Sequence, residues 1–483
     1  MSLWAYVKNL LFETNRFTLV LVAALGFFSI IKYLKISNPF SKKQILIGIV
    51  ILGLALRIAW LLFSSHTPQF SWNPQHMLEG DIINVHAIDI TKGRWFLDDQ
   101  GVPMARRPIG YPMFLGLLYT LFGVHLRVFQ ISTLALFLAS LFLIYKITKL
   151  LVSERAACLA AFIFSIYPIS IYSVPLIVDE HLFLPLWYFG IYLLLMEIHG
   201  KKIRWAPLWY GLIFGYAAMV RTHTIFMPAV VMFAYYRLKF SWKKIIYAGF
   251  GVFLVMQLVN LPWVIRNYKV WGVPVLYTAT SGNVYQTFNG SATPEGGGHV
   301  PLKGEPGYSR EFEAAQESGN HGLSHQLASK EMLRWAVQNP KEAFLLGIKR
   351  IFVFIGWNRG GVWPTWYQFY EGSFDPVRPI SPHLKYFFEE TAYTFYYVLL
   401  FAFIFSIIYL WKRRKAYPRP LLTSLLTVGS CILFWLMEHM IIYPERKYRF
   451  PLEPLMIVIA CAFIDYLVSD FRWEKLWQRK QRQ

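Results

Sequence analysis

The chain has 483 residues, 56% of them hydrophobic and 18% aromatic against 16% charged, and its mean hydropathy is +0.39, a balance outside that of soluble domains. A formal net charge of +21 would point to nucleic acid in a soluble protein. Here Lys and Arg gather in short clusters between apolar runs, which argues against a nucleic-acid partner and gives the positive-inside pattern of a multi-pass membrane protein.

Runs near the roughly 17–25 residues that cross a bilayer begin at Phe17, Ile45, Val128, Ala156, His181, Pro207, Ile225, Ile245, Thr391, Leu421 and Pro451. They predict an all-α polytopic membrane protein with about eleven spans. No cleavable signal pattern precedes the first span, which is expected to stay in the mature protein. The pair between Pro207 and Tyr236 is short because Arg221 and His223 divide it, and a tilted hairpin or thinned membrane would accommodate it. Lys32, Lys35, Lys42 and Lys43 share one connection, followed by Lys146, Lys149 and Arg155, by Lys201, Lys202 and Arg204, and by Arg237, Lys239, Lys243 and Lys244. Lys412 to Lys415 and the tail from Arg472 to Arg482 complete the cytoplasmic set. The N-terminus and the connections 64–127, 173–180, Arg221, 264–390 and 438–450 are then external.

Three regions follow: residues 1–263, a transmembrane module with the external loop 64–127; 264–390, an extracytoplasmic loop region with interfacial helices; and 391–483, transmembrane helices with a basic cytoplasmic tail. Within the second, "TATSGNVYQTFNGSATPEGGG" reads as loop and Glu311 to Gln338 as helix. The short apolar stretch Glu342 to Trp357 carries Lys349 and Arg350 and is placed along the interface. Tyr111 to Phe122 is a similar short stretch, opening at Pro-Ile-Gly-Tyr-Pro. No internal repeat marks an inverted-repeat transporter, and Cys158, Cys431 and Cys461 lie in apolar runs without metal-ligand spacing.

A charge at mid-bilayer costs at least about 2.5–3.5 kcal/mol unless it finds water or a partner, so the charges near membrane level are the informative ones. They collect on the outer side: Glu79 and Asp81 in the first external loop, Asp179 and Glu180 at the end of a very short link, and Arg57, Arg106, Arg107, Arg221, Arg266, Lys447 and Arg449 at or near outer ends. Carboxylates can take a proton from an incoming hydroxyl while cations neutralise a departing phosphate. Singly, each has a bland reading as a helix-end charge or a snorkelling arginine.

The stretches "GDIINVHAIDITKGRWF" and "RRPIGYPMFLGLLYTLFG" resemble the first external loop of GT-C glycosyltransferases. "IYPISIYSVPLIVDEHLFLPL" resembles their second acidic site, "AAMVRTHTIFMPAVV" the arginine hairpin, "LPWVIRNYKVWGVPVLYTATSGNVYQTFNGSATPEGG" a span exit and glycine-rich loop, and "ERKYRFPLEPLMIVIA" the last span. The resemblance runs from about Ile45 to Val468 and points to the bacterial branch that includes the rhizobial lipopolysaccharide core glycosyltransferases, related to lipid A aminoarabinose transferase and protein O-mannosyltransferases. It implies a GT-C-like helix bundle that passes a sugar from a polyprenyl-phosphate donor to a lipopolysaccharide, other glycan, lipid or protein acceptor, with inversion, on the outer face of a bacterial inner membrane.

By the same resemblance Asp81 matches the catalytic base and Glu180 the second acid, with Asp179 its nearest rival; Arg57, Arg221, Arg266, Lys447 and Arg449 are the candidates for the lipid phosphate. Glu79, Arg106, Arg107 and His86 are secondary. The chain departs from the family pattern at Ile82 to Val85 after the first acid, and in Lys447-Tyr448-Arg449, where Lys keeps the charge but not the bidentate geometry. Asp81, Glu180 and a histidine such as His86, His181 or His223 could hold a divalent ion as in some relatives, but no spacing unites them, and no cofactor is expected to be required. The aromatic run "GWNRGGVWPTWYQFYEG" reads as an interfacial belt or a sugar-stacking surface. A lipid transporter or flippase is the competing function, and it predicts midplane acids and paired halves.

Overall fold

The computed structural model describes residues 41–63, 79–97, 101, 103–105, 107–279, 303–304, 308–355, 382–442 and 446–480, without the side chains of 79–81, 382–386, 389, 446–447 and 467–480. The span expected from Phe17, Arg106, most of the glycine-rich loop and the aromatic run after Gly356 lie outside the described residues. Among the described residues the architecture is helical, with one isolated bridge between Leu97 and Pro103.

The helices are α1 (Lys42–Phe63), α2 (Glu79–Thr91), α3 (Gly110–Phe122), α4 (Leu126–Leu151), α5 (Glu154–Ser165), α6 (Pro168–Tyr172), α7 (Glu180–Ile198), α8 (Ala206–Val220), α9 (Met227–Arg237) and α10 (Trp242–Trp271). Then come α11 (Arg310–Glu317), α12 (His321–Gln338), α13 (Pro340–Ile355), α14 (Pro382–Lys412), α15 (Arg419–Ile441) and α16 (Glu453–Lys480). Six described helices are long and apolar enough to cross a membrane: α1, α4, α7, α10, the Glu390–Lys412 part of α14, and α15. In lipid every backbone polar group must be satisfied within the chain, and helices do this locally.

The structure refines two expectations. Glu79 and Asp81, placed in the first external loop, lie in the first turn of α2, so that connection carries a helix. The run beginning at Ala156 does not continue as one span. Its helix α5 stops at Ser165 because Pro168 disfavours helical backbone at Tyr167, which is extended (φ −66°, ψ 116°).

The halt at Ser165 leaves carbonyls without intrahelical donors, and Arg57 of α1 takes them. Its Nη1 donates to the Ser165 carbonyl at 2.8 Å and to Gly53 at 3.0 Å, and its Nη2 to the Ser170 hydroxyl at 2.7 Å. The guanidinium also lies over the Phe137 ring, 3.4 Å from its centroid.

The connections expected in the cytoplasm share one end of the bundle. Glu154 takes Lys42 and Lys149, each at 3.1 Å, and the Tyr145 hydroxyl at 3.0 Å. Arg419 donates to the Arg237 carbonyl at 3.0 Å, and His199 Nε2 lies 3.1 Å from Ser424 Oγ. The opposite end carries the site.

Candidate active site

The centre of this end is the N-terminus of α7. The link before it is fixed by His181, whose Nε2 lies 3.0 Å from the Ser173 carbonyl and 3.2 Å from that of Leu176, so this nitrogen carries the proton and donates. Asp179 and Glu180 thereby open α7 at its positive end, both buried. Facing them, α8 ends at Arg221, whose backbone turns extended (φ −147°, ψ 128°) before the short 3₁₀ turn Thr222–Phe226. The Thr224 hydroxyl donates to the Phe214 carbonyl at 2.9 Å and holds this turn on α8. Arg221 Nη1 donates to Glu180 Oε1, with 8% of the arginine side chain and 2% of the glutamate side chain exposed.

The Pro-Ile-Gly-Tyr-Pro turn completes this corner. A Cβ on Gly110 would lie 2.7 Å from the Met219 carbonyl carbon, so only glycine lets α3 meet the end of α8 so closely. The Tyr216 hydroxyl donates to the Gly110 carbonyl at 3.0 Å. Tyr111 is brought in fully buried, and its phenol is pushed well above its ordinary pKa, by burial first and then by the Asp179 carboxylate nearby. On the other flank, the 3₁₀ turn Arg446–Arg449 brings the Tyr448 ring under the Arg221 guanidinium, 4.9 Å from its centroid. Glu180, Asp179, Arg221 and the turn holding Lys447 and Arg449 are therefore brought together.

The remaining candidates fall elsewhere or are already engaged. Arg57 is enclosed in the bundle as described. Arg266 serves the segment after α2, with Nη2 donating to the carbonyls of Trp95 and Phe96 at 3.2 and 3.1 Å and Nη1 to Met104 at 3.2 Å. His86 stacks on Phe96 at 4.6 Å between centroids, and burial, with Arg266 adding, pushes its pKa down to about 4. Arg449 is bound to Glu453 at 3.0 Å, donates to the Phe354 carbonyl at 3.3 Å and lies 3.7 Å over the Tyr396 ring. Arg107 is half-buried. The side chains of Glu79, Asp81 and Lys447 and the whole of Arg106 are outside the described residues. On α2, one turn beyond Asp81, the Asn84 amide oxygen accepts from the Tyr119 hydroxyl at 2.7 Å.

Sequence reasoning did not nominate Glu453, Glu438 or His439, and used Arg350 only to place its stretch along the interface. The i, i+4 spacing of Arg449 and Glu453 was a usable signal. Arg350 is fully buried and caps α15, donating to the carbonyls of Met440 and Ile441 at 3.3 and 2.8 Å. Only the pattern of helix ends could have suggested this. Among the described residues no three of His, Cys, Asp and Glu gather so as to hold a metal ion.

Residues 106–263 match the family model described as dolichyl-phosphate-mannose-protein mannosyltransferase. That segment contains the Pro-Ile-Gly-Tyr-Pro turn, Asp179, Glu180 and Arg221. No curated protein sequence matches the chain. Among solved structures, the oligosaccharyltransferase of Archaeoglobus fulgidus is similar with a TM-score of 0.50 at 11% identity, over 92% of this chain and 52% of that one. This chain thus spans about half the length of that protein. A complex of the archaeal enzyme with an inhibitory peptide and a dolichol-phosphate gives a TM-score of 0.49 at 12% identity, over 91% and 52% of the two chains. ArnT from Cupriavidus metallidurans, bound to undecaprenyl phosphate, gives 0.39 at 12% identity, over 88% and 77%. The family match covers about a third of the chain, and the chain as a whole has a GT-C-like helical fold.

Proposed function

We propose that the protein is a membrane glycosyltransferase that moves a sugar from a polyprenyl-phosphate donor to a glycan, lipid or protein acceptor, at the outer face of a bacterial plasma membrane. The observation that carries this reading is the buried Glu180–Arg221 pair, set within the segment that matches the mannosyltransferase family. A carboxylate and a guanidinium held together at one bundle end supply the two charges that a sugar transfer from phosphate needs.

In the proposed reaction the acceptor hydroxyl oxygen attacks the anomeric carbon from the face opposite the phosphate. The bond between that carbon and the phosphate oxygen breaks, and its electrons leave with the polyprenyl phosphate. The hydroxyl proton passes to Asp81, while Glu180, fixed by Arg221, and its neighbour Asp179 orient the acceptor. Lys447, beside Tyr448, and Arg221 neutralise the growing phosphate charge. No cofactor takes part.

Purified protein in lipid nanodiscs is expected to turn over with a polyprenyl-phosphate sugar and not with a nucleotide sugar alone. Asp81→Asn keeps the shape and loses the base, so turnover should fall about 10²–10⁴-fold with the melting temperature unchanged. Turnover from nucleotide sugar alone would refute the donor class. Normal turnover by Asp81→Asn would move the base to Glu180 or Asp179.

A further inference from the structure

Arg221 is held by Glu180 and by the Tyr448 ring, and the turn that follows it is anchored by a pair of residues with no part in the reaction proposed above. Two positions after Arg221, the His223 ring lies against Trp435 of α15, with centroids 4.2 Å apart, and its Nδ1 is 2.8 Å from Glu438 Oε2. Both side chains are withdrawn from solvent, with 7% and 15% exposed. Trp435 and Glu438 are three residues apart and so share a face of α15: the indole gives the imidazole a platform, and the carboxylate packs against the ring nitrogen at close range, outside hydrogen-bond geometry.

The same indole reaches the other flank of the site. Trp435 Nε1 donates to the Tyr448 carbonyl at 3.1 Å, and the Tyr448 ring lies beneath Arg221. Behind His223, the His439 ring is stacked 5.2 Å away and is fixed by its own Nδ1–H, which donates to the Trp435 carbonyl at 2.8 Å. A closed circuit results, running from Arg221 along two residues to His223, across to Trp435, on to Tyr448 and back to Arg221. A displacement of His223 moves the arginine against Tyr448, and Tyr448 is flanked by Lys447 and Arg449.

We infer that His223 and Glu438 form a positioning pair that holds Arg221 in register with the Lys447–Arg449 turn, so that the cations converge on the phosphate of a prenyl-phosphate lipid. This rests on the proposed donor chemistry. The pair acts through Arg221 and touches no reacting atom. Its contribution is to keep the guanidinium ready for the ligand, which lowers the ordering cost of binding.

The test is binding of undecaprenyl phosphate to the full chain in nanodiscs, read beside the melting temperature. Glu438→Ala should weaken binding about tenfold, the scale of one lost polar contact, with an unchanged melting temperature. Glu438→Gln, which keeps an oxygen facing His223, should bind within about threefold of wild type. His223→Gln should weaken binding as Glu438→Ala does, and combining the two should add little, because both break one contact. His223→Gln decides the matter if Glu438→Ala does not fold. Wild-type binding by Glu438→Ala overturns the inference, as does a loss shared equally by Glu438→Gln and accompanied by a lower melting temperature. If wild type binds no undecaprenyl phosphate, the inference and the donor reading fall together. If the variants behave as expected but no sugar is transferred, the positioning role stands and the transferase reading falls.

Discussion

The two ends of the bundle use glutamate in opposite ways. At the end with Lys42 and Lys149, Glu154 gathers two lysines and a tyrosine from two other helices while 29% of its side chain stays exposed. Such a cluster joins helices in a setting where water and salt screen each charge. At the other end Glu180 is paired with Arg221, and both are withdrawn from solvent. Removing two charges from water costs as much as their attraction returns, so a buried pair is weak evidence of a stabilising role. The exposed cluster fits assembly of the fold, whereas the buried pair fits a site that holds charge ready for a ligand.

The strongest way to break this contrast is to separate the buried charges. Glu180→Gln should strand Arg221 and destabilise the protein by about 3–5 kcal/mol, with transfer lost. The double variant Glu180→Leu/Arg221→Met replaces the pair with apolar side chains and should recover most of that stability without activity. Thermal unfolding in nanodiscs and turnover, measured on both, check this. Recovery of activity in the double variant would make the pair structural, like the cluster at the other end.

A middle-sized effect is expected at Gly110. Gly110→Ala pushes a methyl group into the backbone of Met219 and should cost about 1–3 kcal/mol through overpacking. Turnover should fall further than that loss implies, because the displaced turn carries Tyr111 toward Asp179. Melting temperature and the KM-against-kcat split check it.

The smallest effect belongs to Glu154. Lys149 first, then Lys42 and Tyr145, hold its carboxyl down from 4.5 to about 2. The folded state therefore binds the proton less readily than the unfolded one, and the stabilisation is present above pH 4.5 and lost as pH falls toward 2. Glu154→Gln should flatten the pH dependence of unfolding in that window only, with turnover near neutral pH unchanged.

The helix positions were legible wherever hydrophobic length decided the matter. The runs from Ile45, Val128, His181, Ile245, Thr391 and Leu421 all lie in helices, because lipid leaves the backbone little alternative. The Arg221 hairpin is also as short as its sequence required. Local breaks were less visible. The helix expected from Glu311 to Gln338 is divided at Gly319, whose positive φ of 69° ends α11. Asn320 then caps α12 by accepting from the Leu323 N–H at 2.9 Å. Ser318-Gly319-Asn320 carried that signal, and it was outweighed by the helix formers on either side.

At the site, Glu180 and Arg221 could be nominated from the sequence because acids and arginines at outer ends are rare and costly. The nomination could not tell Arg221 from Arg57 or Arg266. Three arginines at membrane level can hydrogen-bond stranded carbonyls or carboxylates alike, and the choice depends on where neighbouring helices stop. Pro168 commits Arg57 to carbonyls, while the segment after α2 commits Arg266. His223 and Glu438, 215 residues apart in sequence, meet through a helix pairing that no local pattern encodes.

The contact of Arg221 with Tyr448 has a consequence for how the protein is made. Synthesis proceeds from the N-terminus at about 5–20 residues per second, so on the order of ten seconds or more separate the emergence of the arginine from that of the tyrosine. Throughout that interval α7 and α8 can insert and pair Glu180 with Arg221, but the Arg446–Arg449 turn has yet to be made. The Tyr188 hydroxyl, which donates to the Pro451 carbonyl at 2.7 Å, waits for the same late segment. A nascent chain halted before this turn would therefore lack the partners that the Tyr448 ring and the Pro451 carbonyl supply to Arg221 and Tyr188.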